Sequence, residues 1–221
     1  RIHEKYPTLP MMLCSGGGAR MDYEVLKYFT EFWCSDDTDP YERLYIQWSL
    51  SKFFPTKTMG PHVTNWNRRA SVKFRTDVCS SCKLGFDIDL KSLSENDYKF
   101  VQQAVKNYND LKPVILEGDQ YRLVSPYETD HCAINYVSKN KQRAVLFAYD
   151  LHPRYKEPPM NVRLQGLDPM KVYTVRETNL MPGAKSHLEC NGKQYSGDYL
   201  MKIGLNVLTA NEGSSRVLVL E

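Results

Sequence analysis

The chain lacks any uninterrupted run near the ~18 apolar residues that a membrane-spanning helix needs, so no helical span is expected. It also lacks a strong charge of either sign. Its 29 basic and 26 acidic residues leave +3, too little to suggest a nucleic-acid partner held by phosphate neutralisation. The densest basic stretch beside an aromatic, Asn67-Arg68-Arg69, is short. No disulfide framework is visible either: Cys14, Cys34, Cys79, Cys82, Cys132 and Cys190 fall at irregular spacings. Cys79 and Cys82 form a C-x-x-C without the second ligand pair that zinc requires, and His3, His62, His131, His152 and His187 are scattered. Two semi-buried thiols and no metal are therefore expected. The start, Arg1-Ile2-His3-Glu4-Lys5, has neither an initiator Met nor a signal-type apolar stretch, and localisation cannot be read from it.

What is present is an ordinary globular composition, 42% apolar and 25% charged over 221 residues, enough for one large domain or two small ones. Twice in the first forty residues a short apolar run gives way to polar loop chemistry. Met11-Met12-Leu13-Cys14 leads into Ser15-Gly16-Gly17-Gly18-Ala19-Arg20, and Phe32-Trp33-Cys34 leads into Ser35-Asp36-Asp37-Thr38-Asp39. Strands of a (β/α)8 barrel deliver reactive side chains to one rim in this way. The pattern begins almost at residue 1, so the chain reads as the back end of something larger.

Strands are expected over residues 10–14, 30–33 and 72–78, with a helical turn or two over 22–28. Asp39-Pro40-Tyr41-Glu42 has the cap, first-turn proline and acid of a helix start, and Pro55 stops that helix. Ser94 with Asp97 opens another, whose Tyr98, Val101, Val105, Tyr108 and Leu111 step by three and four until Lys112-Pro113. From Val114 the period changes. Short β-rich runs at 121–124, 133–137, 144–149, 162–164, 172–175 and 217–220 are separated by turn residues, which argues for an antiparallel sandwich. The expected fold class is thus α/β plus all-β. Residues 1–113 form part of a (β/α)8 TIM barrel and residues 114–221 an antiparallel β-sandwich.

Cys14-Ser15-Gly16-Gly17-Gly18-Ala19-Arg20 and Trp33-Cys34-Ser35-Asp36-Asp37-Thr38-Asp39 resemble two signatures of the family-36 glycoside hydrolases, the bacterial-type α-galactosidases. The family forms are Cys-Ser-Gly-Gly-Gly-Gly-Arg and Trp-x-Ser-Asp-Asn-Thr-Asp, so Ala19 and Asp37 are departures. The similarity continues through Ile46-Gln47-Trp48, His62-Val63-Thr64, the 84–90 run, 121–126 and Gly166-Leu167-Asp168-Pro169. It implies the end of a catalytic barrel and a C-terminal β-sandwich, retaining hydrolysis of α-galactoside oligosaccharides, and no cofactor. The family's nucleophile lies in a Lys-x-Asp-x-Asn-Arg type motif, which this sequence does not contain; it is expected upstream, on the remainder of the barrel.

Retaining hydrolysis needs two carboxyl groups about 5 Å apart, one attacking and one serving as acid and then base. The resemblance gives the acid/base role to Asp36. Asp39 already has a task as a helix cap, and Asp37 stands where the family commonly has Asn. Cys14, Gly16, Gly17 and Trp33 correspond to sugar contacts, although Trp33 could equally be a core residue at the end of a strand. Arg20 and Asp22 form either a pair supporting the glycine loop or a surface ion pair. No nucleotide-binding glycine pattern is satisfied. Trp66 is expected as a partly buried anchor rather than a sugar platform. A remnant barrel should carry an unpaired strand edge. Three alternatives stay open: action on α-N-acetylgalactosaminides, galactose transfer, or a non-catalytic carbohydrate-binding or assembly piece. A homo-oligomer of the full-length form is also open.

Overall fold

The computed structural model describes residues 1–14, 17, 20–66, 70–209 and 211–221. After a short helix α1 (Ile2–Lys5), four parallel strand segments follow one another: β1 (Met12–Leu13), β2 (Glu31–Phe32), β3 (His62–Thr64) and β4 (Gly85–Asp87). β1 pairs with β2, and β3 pairs with β4. A parallel bridge between Phe32 and Met59 and the bond from Gly60 N–H to the Phe32 carbonyl (3.1 Å) join the two pairs. Helix α2 (Pro40–Leu50) connects β2 to β3, and α3 (Val72–Ser80) connects β3 to β4.

Side chains alternate across these strands, as pleating requires. Phe32, Cys34 and Met59 turn towards the helices and pack with Cys82, Leu13, Ile46 and Leu50. Met12, Glu31, Trp33 and His62 take the other face. A Cβ on Gly60 would lie 3.0 Å from Met12 Cε and 3.4 Å from Glu31 Oε2, and one on Gly85 would overlap the His62 ring. Those two glycines leave room for larger neighbours on the face that carries the site.

Residues 72–78 are the first seven residues of α3, not a strand. Their alternating Val72, Phe74, Thr76 and Val78 imitate period two because the helix is buried on almost every side. Ser71 decides the matter locally by capping Phe74 N–H at 3.1 Å. The strand instead falls at His62–Thr64, in a stretch whose Gly60 and Pro61 suggest loop. Helix α4 (Glu95–Glu117) starts as expected, with Ser94 accepting from Asp97 N–H at 3.1 Å. It then runs through Pro113, because Leu111 before the expected stop and Val114 and Ile115 beyond it are buried and hold it in register.

The remainder is one six-stranded antiparallel sheet in the order β5-β6-β7-β10-β8-β9. Its strands are β5 (Asp119–Val124), β6 (His131–Val137), β7 (Ala144–Asp150), β8 (Val172–Thr178), β9 (Gln194–Ser196) and β10 (Ser214–Leu220), with a helix α5 (Gly197–Lys202) before β10. The last strand inserts between β7 and β8: Val217 faces Phe147 on one side and Thr178 on the other. One face of the sheet packs Ile134, Tyr136, Phe147 and Tyr149 against Trp48, Phe74, Val78, Leu111 and Ile115 of the helices. The other face is covered by Val162, Leu164, Leu167, Leu200, Leu205 and Val207. This opposing layer is mostly irregular, with Val162 and Leu205 forming an isolated antiparallel bridge, so the 162–164 run is not a full strand.

Candidate active site

The site is built where β1 and β2 end. Cys14 follows β1 and is exposed; Asp36 follows β2 by four residues and is also exposed. Five contacts shape the loop that carries Asp36. The Trp33 Nε1–H donates to Asp36 Oδ1 at 3.0 Å. Gly17, at φ 75°, lies over the carboxylate so closely that a Cβ there would sit 3.3 Å from Asp36 N and 3.4 Å from Asp36 Oδ2. Beyond it, the Asp37 carboxylate accepts from Asp39 N–H at 2.9 Å, and the Asp39 carboxylate accepts from Tyr41 N–H (2.8 Å) and Glu42 N–H (3.2 Å) as the cap of α2. Asp37 and Asp39 are therefore engaged with backbone, whereas Asp36 presents a solvent-facing carboxylate held by one indole.

Trp33 is only 8% exposed. The Arg43 guanidinium lies 4.8 Å from its ring centroid, and His62 meets it edge-on, also at 4.8 Å. Arg43 in turn donates through Nη2 to the Ser35 carbonyl at 2.7 Å. Burial holds the His62 imidazole below its ordinary range; Asp87 and Glu31 oppose that, and Arg43 reinforces it. Behind the loop, burial pushes the Cys34 thiol up to about 11 despite the neighbouring Arg43 charge. Beside the loop a cleft of about 450 Å³ brings Tyr127, from between β5 and β6, next to Ser35, Glu42 and Tyr45.

Of the residues singled out in the sequence, Cys14, Gly17, Trp33 and Asp36 lie at the ends of two paired parallel strands, and Gly17, Trp33 and Asp36 are in contact. Gly16 lies outside the described residues, as do Gly18 and the Asn67-Arg68-Arg69 stretch. Arg20 and Asp22 form no ion pair among the described residues; Asp22 instead accepts from Val25 N–H at 2.9 Å and closes a short turn. Trp66 is exposed, not a partly buried anchor. Cys79 and Cys82 are fully enclosed thiols, and burial raises both. No group of three His, Cys, Asp or Glu among the described residues is arranged to hold a metal ion. Arg43 was missed. The signal for it was available: a cation in the first turn of a helix opposes the helix dipole and calls for another explanation.

Comparison with known proteins fits this architecture. The family profile described as Melibiase matches residues 1–118, and the glycosyl hydrolase family 36 C-terminal domain matches residues 131–220. A probable alpha-galactosidase G of Aspergillus terreus is 30% identical over 100% of this chain and 29% of its own length. Alpha-galactosidase AgaA of Geobacillus stearothermophilus is 31% identical over 92% of this chain and 27% of its own. Among solved structures, the family-36 α-galactosidase AgaB of the same organism superposes with a TM-score of 0.87 at 30% identity, covering 100% of this chain and 29% of that one. A variant of AgaA in complex with raffinose gives 0.88 at 29% identity, over 100% and 30%. The chain thus spans under a third of the length of the relatives it matches. On the melibiase match over residues 1–118 of 221, joined by the C-terminal match that follows it, the chain belongs to glycoside hydrolase family 36.

Proposed function

We propose that this chain carries the acid/base half of a retaining α-galactosidase site, with Asp36 as the acid/base. The observation that carries the proposal is the exposed Asp36 carboxylate, held by Trp33 Nε1 at the end of β2 and overlain by Gly17. In the first step a carboxylate contributed from outside residues 1–221 attacks the anomeric carbon. Asp36 meanwhile gives its proton to the glycosidic oxygen and the leaving sugar departs. In the second step ionised Asp36 takes a proton from water as that water attacks the same carbon, releasing galactose with its α configuration. Two carboxylates suffice for this chemistry, so no cofactor is invoked.

Cys14 and the Gly17 backbone form the adjoining rim against which the galactosyl unit rests, since glycine allows backbone to approach hydroxyl groups closely. The four parallel segments are read as the closing strands of a (β/α)8 barrel, and the face bearing Met12, Glu31, Trp33 and His62 as its interior wall. Variants of one relative, AgaA, solved with raffinose and with stachyose support α-galactoside oligosaccharides as the substrate class.

In the full-length enzyme, Asp36→Asn should lower kcat on raffinose by ~10²-fold to ~10⁴-fold, the usual worth of a general acid, with the melting temperature unchanged. Retention of wild-type turnover would contradict the assignment. Residues 1–221 alone should hydrolyse no aryl α-galactoside, and turnover abolished by Asp36→Asn would show that both carboxylates lie within this chain.

A further inference from the structure

Arg43 is 1% exposed, and none of the ion pairs among the described residues includes it. Its Nη2 reaches the Ser35 carbonyl, but Nε and Nη1 are buried with no oxygen or nitrogen acceptor, the Cys34 thiol being a weak acceptor beside the guanidinium. It also occupies the first turn of α2, the positive end of the helix dipole. Burial, missing counter-charge and adverse dipole all weigh against a cation here on stability grounds. A residue that breaks local rules this consistently is expected to serve a site.

We infer that Arg43 is a positioning residue for the acid/base, acting through Trp33 and Ser35 rather than by touching substrate. The inference rests on the acid/base reading of Asp36. One side of the guanidinium fixes the Ser35 carbonyl, the residue immediately before Asp36. The plane lies over the Trp33 ring, whose opposite role is to donate its N–H to Asp36 Oδ1. A cation on an indole face draws electron density from the ring, and that strengthens the N–H as a donor. Arg43, Trp33 and Asp36 therefore form a relay from the helix to the carboxylate, and its loss would leave Asp36 in place but poorly aimed.

The test compares kcat/KM in the full-length enzyme for raffinose, whose leaving sugar must be protonated, and for a dinitrophenyl α-galactoside, whose leaving group needs almost no proton. Arg43→Met and Trp33→Phe should each lose about 10² on raffinose, the scale of a small misplacement of a catalytic group, and only a few-fold on the aryl substrate. The double variant should lose no more than the worse single variant, because both break one relay. Arg43→Lys keeps the charge, protects against failure to fold, and should show an intermediate loss with the same leaving-group dependence. Equal losses on both substrates in Arg43→Met and Arg43→Lys, or additive losses in the double variant, would overturn the inference. Asp36→Asn is the reference. If it too lacks leaving-group dependence, the acid/base reading fails; if it shows that dependence and the Arg43 variants do not, only the role of Arg43 fails.

Discussion

At the scale of single residues, the site depends on which polar groups are left without another task. Asp37 and Asp39 organise backbone at the start of α2, and Asp36 does not. That separation was legible in part: Asp39-Pro40 announces a helix cap, and the loop motif singles out Asp36. The role of Trp33 was not legible, because a sugar platform and a core tryptophan look alike in a sequence, and only the contact from Nε1 to Asp36 distinguishes a third possibility. Arg43 was overlooked because a lone arginine in an amphipathic helix normally faces water.

Two outcomes belong to this scale. Cys14 is exposed while Cys34, Cys79, Cys82, Cys132 and Cys190 are buried, so brief treatment of the native protein with a thiol reagent should label Cys14 and spare the others, as mapped by mass spectrometry. Burial keeps the folded His62 below the ~6.5 of an unperturbed imidazole, so the unfolded chain binds a proton that the folded chain refuses. The associated stability is complete above ~6.5 and falls as pH drops through the folded value. Denaturant midpoints measured at neutral and mildly acid pH should show a smaller acid loss in His62→Gln than in the parent; the effect is modest because the ring is half-buried.

At the scale of elements, the helices with clear caps, α2 and α4, were readable at their starts, and strand β7 at nearly its full length, whereas β6 was placed without its first two residues and β10 without its first three. The errors share one cause, which is that burial overrides local signals. Helix α3 looked like a strand because its polar residues are themselves interior. Asp77 is fully buried, yet it accepts from Lys73 Nζ (2.5 Å), Ser215 Oγ (2.6 Å) and Asn179 Nδ2 (2.9 Å), while Tyr149 donates to its backbone carbonyl (3.0 Å). The network ties α3 to β7, β10 and the segment after β8. Asp77→Ala should strip several buried donors of their acceptor and strand the Lys73 charge, costing about 3–5 kcal/mol in chemical denaturation. A loss near zero would show that the network relaxes freely. Pro113 is exposed inside α4 and cannot donate to the turn before it, so Pro113→Ala should raise the melting temperature.

At the scale of the whole molecule, the expected boundary at residue 113 falls inside α4; the antiparallel sheet begins only after that helix ends at Glu117, and packing is continuous across the junction. Trp48, Phe74 and Leu111 from the helical part share one cluster with Tyr136, Phe147 and Val217 from the sheet. The Tyr136 hydroxyl donates to the Ser81 carbonyl at 2.5 Å, and the Tyr41 ring on α2 stacks with His152 at 5.6 Å. The sheet thereby buttresses the helix whose first turn holds Arg43. A core shared in this way predicts a single calorimetric transition with equal van't Hoff and calorimetric enthalpies; two resolved transitions would mean the halves fold separately.

The assignment of Asp36 is tested most directly by chemical rescue of Asp36→Ala in the full-length enzyme with azide and an activated aryl α-galactoside. An acid/base lies on the face from which water approaches the glycosyl-enzyme, so azide filling the vacated space should attack from that side and yield α-galactosyl azide. A β-configured azide would instead mark Asp36 as the nucleophile, and the absence of any azide product or rate recovery would remove it from the reaction.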